Sequence, residues 1–220
     1  KPGDIRVLLS ESTGIQVQVT SPTSANAGIR IQGLDGRYTQ VLKDGFPLYS
    51  GAASGLGLLQ IPPLDLQQVE LIKGSASTLY GGGAIAGLVN LISKRPMEES
   101  ELSFVLNGTN AGGFDASGFY AKRNDKIGTT IFAAYNTNAP FDPADIGLSA
   151  IPKFNRFTFN PKVFLYPSSR TDVEFGLNLS IEDRVGGNMN YLNGDRENQQ
   201  AFFERNLSER ISSQFVLNHE

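Results

Sequence analysis

Residues able to do covalent chemistry are sparse in this chain, and their spacing closes off most enzymes. The 220 residues contain no Cys and a single His, His219. That excludes disulfides and a cysteine nucleophile, and leaves neither an imidazole cage for a metal nor a base for a serine triad. Gly81, Gly82 and Gly83 are followed by Gly87, which is not the spacing of a dinucleotide loop. No Lys-Ser or Lys-Thr follows, so a phosphate loop is excluded as well. Asp142 and Asp145 lie in a polar stretch where solvated charge is the default. Glu182 and Asp183 adjoin within an alternating run, so they point to opposite faces and make a poor acid–base pair. The sequence predicts no catalytic residue, no metal site and no cofactor.

The elements around these residues fall into two unlike halves. Residues 1–97 hold 14 of the 24 Gly but only 4 of the 21 aromatics. Such a shift places a domain boundary near Pro96, giving domains 1–97 and 98–220. With 22 acids against 19 bases the net charge is -3, which offers no footprint for nucleic acid. The longest apolar stretch, Ala84–Ile92, is far too short for a spanning helix.

The first half reads as a small mixed α/β domain. Asp4–Ser10 puts Ile5, Leu8 and Leu9 on one helical face. Short strands are predicted at Ile15–Val19, Ile29–Ile31, Thr39–Leu42, Gln67–Ile72 and Leu88–Ser93, with a helical turn at Gly74–Tyr80. Asp44-Gly45 is a turn dipeptide, and Thr20–Gly28 and Leu48–Leu58 are loops of small residues.

The second half is all β. In Val173–Ile181 the odd positions are Val, Phe, Leu, Leu and Ile, and the even ones Glu, Gly, Asn and Ser. Phe157–Leu165 and Leu207–Leu217 alternate in the same way, and Leu102–Leu106, Phe114–Tyr120 and Ile127–Tyr135 do so more weakly. About six strands result, several of about 10 residues, long enough to cross a bilayer when tilted. Asn124-Asp125 and Ser168-Ser169 mark tight turns, whereas Asn138–Lys153 and Arg184–Ala201 are long polar loops. Short turns at one end and long loops at the other are the habit of an outer-membrane barrel. A soluble β-sandwich or extracellular ligand-binding β module alternates too; strand length and loop asymmetry favour the barrel.

Two runs carry a resemblance. They are IRIQGLDGRYTQVLKDGFPL (Ile29–Leu48) and VELIKGSASTLYGGGAIAGLVNLISKRP (Val69–Pro96). Gly33-Leu34, Asp44-Gly45, Val69-Glu70, Lys73-Gly74, Leu79-Tyr80-Gly81, Ala84-Ile85 and Val89-Asn90 stand in the order and spacing of the plug domain of TonB-dependent outer-membrane receptors. Together these elements are specific, and they cover nearly all of residues 1–97. The alternating half resembles the first strands of that family's barrel. Four positions depart from the family pattern. Gln32 stands for the usual Arg, Lys73 for the commoner Arg, Ser75 for Pro and Ala86 for Gly. Gln32 lacks the charge and the bidentate fork of Arg, so a family ion pair at that point is in doubt.

The resemblance implies a small mixed α/β plug followed by antiparallel transmembrane strands, part of a barrel of about 22 strands with a filled lumen. Six strands cannot close such a barrel, so the chain is expected to be a piece of a longer receptor in the bacterial outer membrane. TonB is then the expected partner, through a box that precedes the plug and lies outside this chain. Outer-membrane lipid is expected against Val173, Phe175, Leu177, Leu179 and Ile181. Glu174, Asn178, Asn206, Arg210 and Gln214 are expected to face the lumen. The default ligand is a ferric siderophore or other iron chelate, with cobalamin, haem or a glycan as rivals. Ligand contacts are expected on two apical loops, at Ser21, Thr23 and Asn26 and at Tyr49, Ser50, Gly51 and Ser54. Gln32, Glu70, Lys73 and Gly74 are expected to make plug-to-barrel contacts.

Overall fold

The computed structural model describes residues 14–21, 26–48, 63–74, 84–194 and 202–219, together with Ile5, Leu9 and Ser10. The chain divides into two compact units, Lys1–Ser93 and Lys94–Glu220.

In the first unit, β1 (Ile15–Ser21) and β2 (Asn26–Ile31) form an antiparallel hairpin. A four-stranded sheet follows, in the order β4-β3-β6-β5, from β3 (Thr39–Lys43), β4 (Phe46–Pro47), β5 (Leu66–Lys73) and β6 (Gly87–Ser93). β6 pairs parallel to β3 and antiparallel to β5. Flanked on both edges, β6 reads as an almost unbroken apolar run and is buried along most of its length. Its Val89 and Leu91 join Ile5, Leu9, Ile15, Ile29, Ile31 and Val41 in the core. Asp44 (φ 53°) and Gly45 (φ 82°) make the two-residue turn between β3 and β4. Positive φ at both positions is the type I′ pattern that Asp-Gly favours.

The second unit is a meander in which every strand pairs with its sequence neighbours. β7 (Glu101–Gly108), β8 (Gly113–Arg123), β9 (Ile127–Asn138), β10 (Lys153–Ser168), β11 (Thr171–Gly187) and β12 (Phe203–His219) form one antiparallel six-stranded sheet in chain order. All six predicted strands are present, each longer than its alternating segment. Loop boundaries move: Asn138 and Lys153 belong to β9 and β10, and Arg184 is not a loop residue, because β11 continues to Gly187 in register with β12. The hairpin likewise runs further than the predicted Ile15–Val19 and Ile29–Ile31, with Ser21 and Asn26 opposite each other across a register shift. The predicted helix at Asp4–Ser10 lies mostly, and the turn at Gly74–Tyr80 almost wholly, outside the described residues.

Candidate functional site

The two faces of the six-stranded sheet differ, because side chains alternate along every strand. One face carries Leu102, Phe104, Leu106, Phe175, Leu177, Ile181, Ile211, Phe215 and Leu217, all exposed. Leu106 is 75% exposed and Ile211 74%, values that in water would signal an unpartnered surface. The opposite face buries Asp115, Asn136, Arg156, Glu182 and Arg184. Apolar-out and polar-in is the pattern of a wall that separates lipid from a wet interior.

The polar face is organised by register. Asn107, Asp115, Asn136, Arg156, Glu182 and Ser208 stand directly opposite one another, one from each strand, in a single row across the whole sheet. Asn107 and Asn136 donate to the two oxygens of Asp115 at 2.9 Å each. Arg156 Nε donates to Asn136 Oδ1 at 3.2 Å, and its Nη1 reaches Glu182 Oε2 at 3.5 Å. Arg184 Nε donates to the other Glu182 oxygen at 2.8 Å. Glu182 is 1% exposed and sits between two buried guanidinium groups. With Arg184, two residues beyond Glu182 on the same strand, the cluster holds two acids and two bases, so its charge cancels locally, as buried charge requires. Arg156 and Arg184 also lie over the ring of Phe154, at 5.7 and 4.7 Å.

Nearer the short-turn end, Lys162 pairs with Glu174 at 2.8 Å, and Gln214 donates to the same oxygen at 3.4 Å. Of the predicted lumen residues, Glu174 is buried here, while Asn178, Asn206, Arg210 and Gln214 are half-buried on the same polar face. Asp183 is on the other face, where Arg205 forks onto it at 3.0 and 2.8 Å. Glu182 and Asp183 thus point apart, as the alternation predicts.

The described connecting residues 109–112, 139–152 and 188–194 lie at one end of the sheet. The two long ones are tied together at their roots. Ser149 donates its N–H to the Gly187 carbonyl at 2.8 Å, and its hydroxyl accepts from Gly187 N at 2.9 Å. Leu148 bridges to Asn188, whose side chain caps the short helix α1 (Met189–Leu192). Tyr191 of that helix stacks on Phe203, with ring centroids 4.4 Å apart.

Among the predicted ligand residues, Thr23, Tyr49, Ser50, Gly51 and Ser54 lie outside the described residues, and Ser21 and Asn26 are placed in backbone only. The predicted plug-to-barrel residues lie within the first unit. Glu70 is exposed and accepts from Gln68 and Asn90 at 2.9 Å each. Gly74 donates to Ala86 at 3.1 Å, Gln32 takes φ 53°, and the Lys73 amine approaches Gly14. Sequence reading did not find the bonds of Asp44, which accepts from Ser93 N at 2.7 Å and Ser93 Oγ at 2.9 Å. Nor did it find the buried Lys43–Asp65 pair at 2.8 Å. Lys43 ends β3 and Asp65 immediately precedes β5, so no local pattern pairs them.

No metal-holding group of acids and His occurs among the described residues. Comparison with known proteins supplies the class. Residues 1–88 match the family model described as TonB-dependent Receptor Plug Domain. A ferric aerobactin receptor of Klebsiella pneumoniae is 34% identical over 96 residues, which is 44% of this chain and 12% of the relative. The vitamin B12 transporter BtuB of Vibrio vulnificus is 33% identical over 116 residues, 53% of this chain and 19% of that protein. The chain therefore spans a minor part of the curated relatives' length. A solved ferric enterobactin receptor variant of Pseudomonas aeruginosa shares the fold with a TM-score of 0.69 at 17% identity, covering 97% of this chain and 36% of that receptor. Residues 1–88 are thus matched by the plug domain of TonB-dependent receptors, and the antiparallel strands that follow share the fold of a solved receptor of that kind.

Proposed function

We propose that this chain is part of an outer-membrane transporter that takes up a scarce ligand, a ferric siderophore in the first instance, by TonB-dependent active transport without covalent chemistry. One observation supports this above the rest. The plug-family match is followed, in the same chain, by a sheet whose exposed face is apolar and whose buried face carries an ordered row of polar and charged side chains. Lipid takes the first face, and the second lines a wet lumen, which without a plug would be an open aqueous hole. Ligand contacts fall on the apical loops, at Ser21, Thr23, Asn26, Tyr49, Ser50, Gly51 and Ser54. Gln32, Glu70, Lys73 and Gly74 hold the plug to the wall. The relative named for ferric aerobactin favours an iron chelate, and the one named for vitamin B12 makes cobalamin the second reading. The inventory of chemical groups supplies no enzyme.

The test is uptake by cells expressing the full-length receptor, with a panel of radiolabelled ferric siderophores and cobalamin, with and without a protonophore. Saturable uptake of one ferric chelate, abolished by the protonophore and by loss of TonB, is the expected result. Uptake of cobalamin alone would move the protein to the second reading. Binding of all probes without energy-dependent uptake would defeat transport.

A further inference from the structure

The segment joining the two units is built onto the wall. Lys94 pairs with Glu101 and stands 4.7 Å from the ring of Phe119, so it reaches β7 and β8. Arg95 turns the other way. It pairs with Asp172 at 2.6 Å, approaches Glu174 at 3.8 Å and lies 5.3 Å from the ring of Phe164, so it reaches β10 and β11. Pro96 covers Gly128 of β9 so closely that a Cβ there would stand 2.6 Å from its Cγ. The Met97 carbonyl accepts from Arg123 N at 2.8 Å, and the Arg123 guanidinium stacks 3.9 Å over Tyr166. Arg123, Gly128, Phe164 and Glu174 are directly opposite neighbours, one row across β8 to β11 on the polar face. Residues 94–97 therefore lie along that row and touch five consecutive strands.

These contacts are of several kinds: ion pairs, cation–π contacts, close steric fit and a backbone hydrogen bond. Glu174 shows how they interlock. One of its oxygens is held by Lys162 and the other faces Arg95. On the other side of the junction, Ser93 is bonded through both N and Oγ to Asp44 within the first unit. The chain is thus fixed on each side of the Ser93–Lys94 peptide, by unrelated partners.

We infer that residues 94–97 are a strap that stays on the wall during transport, so that any rearrangement of the first domain ends at the Ser93–Lys94 junction. Pulled from its N-terminal side, the first domain loosens while the strap keeps its chain attached across five strands. The inference rests on the transport reading, and its test separates the two.

The chain's lack of Cys makes a cross-link clean. Pro96→Cys with Gly128→Cys places two thiols where a disulfide needs Cβ atoms about 3.5–4.5 Å apart. In the full-length receptor with these as its only cysteines, the pair should oxidise readily. Ferric-siderophore uptake should then match that of the reduced form within about twofold. Uptake that falls about tenfold or more on oxidation and returns with reductant would overturn the strap, because the segment would have to leave the wall. Failure of the bond to form in folded receptor would overturn the placement itself. A second measurement needs neither mutation nor transport. Hydrogen exchange of the unmutated receptor, in stepwise urea, should show amides of β1 to β6 losing protection while Arg123 keeps that of the rest of β8. Arg123 exchanging together with the first domain would overturn the proposal. If the wild type takes up no probe but Arg123 stays protected, transport fails and the strap stands.

Discussion

The two units solve opposite burial problems with similar strands. In the first, Val89 and Leu91 of β6 are buried and the sheet closes on an aliphatic core. In the second, one whole face of apolar residues is exposed, and the buried face holds Arg156, Glu182 and Arg184 beside Phe119, Phe132 and Phe164. The first is an ordinary domain, driven by removing apolar surface from water. The second is that arrangement turned inside out, and it makes sense only where lipid replaces water outside. The same substitution should therefore have opposite consequences in the two units, and four experiments sharpen that contrast.

The largest effect is expected at the centre of the polar row. Glu182→Ala leaves Arg156 and Arg184 buried without their shared acceptor, a loss of about 3–5 kcal/mol, whereas Glu182, Arg156 and Arg184 replaced together by apolar residues should recover much of it. Refolding into detergent micelles, followed by denaturant titration, measures both. A loss under about 1 kcal/mol for the single change would mean that water reaches the row.

Next comes the apolar face. Leu177 is the midpoint of Val173–Ile181, so Leu177→Arg should destabilise the folded receptor in lipid by about 2–4 kcal/mol, while Asn178→Arg, one residue on and facing the other way, should change little. Refolding yields in lipid vesicles compare the two. Equal tolerance would remove the membrane from the account.

Much of the second unit was legible because its signal is local. A period of two sorts Val173, Phe175 and Leu177 from Glu174, Gly176 and Asn178 without knowledge of any partner strand. Which charge meets which was not legible. Arg156 faces Glu182 only because the β10–β11 turn fixes the register, and one residue of slip would put Asp183 opposite Arg156. In the first unit Asp44-Gly45 was readable as a turn, but the bonds of Asp44 to Ser93 join residues far apart in sequence and depend on β3 pairing parallel to β6. The strap was hidden for a related reason. Lys94 and Arg95 gain their partners only once the strands beneath them are in register.

A smaller effect, on binding rather than folding, is expected from the proposed ligand segment Leu48–Leu58. Tyr49 is the only aromatic residue of Leu48–Leu58, among Gly, Ala and Ser that let a ligand approach the backbone. Tyr49→Ala should weaken ligand affinity about tenfold, equivalent to ~1.4 kcal/mol, in full-length receptor that remains folded. Titration of wild type and variant in the same detergent decides it, and unchanged affinity would assign the ligand to loops of the barrel.

The smallest effect separates a turn held by backbone conformation from a wall held by side chains. Gly45 has φ 82°, and a Cβ added there meets nothing within 4 Å. Gly45→Ala therefore meets no obstacle and loses only the conformational ease of glycine in the left-handed region, about 1 kcal/mol. Asn90 Oδ1 still accepts from the amide of residue 45, as it does now at 3.1 Å, so the turn keeps its outside support. Asp44 keeps both bonds to Ser93, so the end of β6 stays fixed. The expected outcome is a slightly lower unfolding midpoint for the first domain, with the second domain's transition unmoved. Hydrogen exchange resolved by segment can report the two separately. If β8 to β11 lost protection along with β3 and β4, the two units would share one cooperative transition, and the contrast between their cores would not extend to their stability.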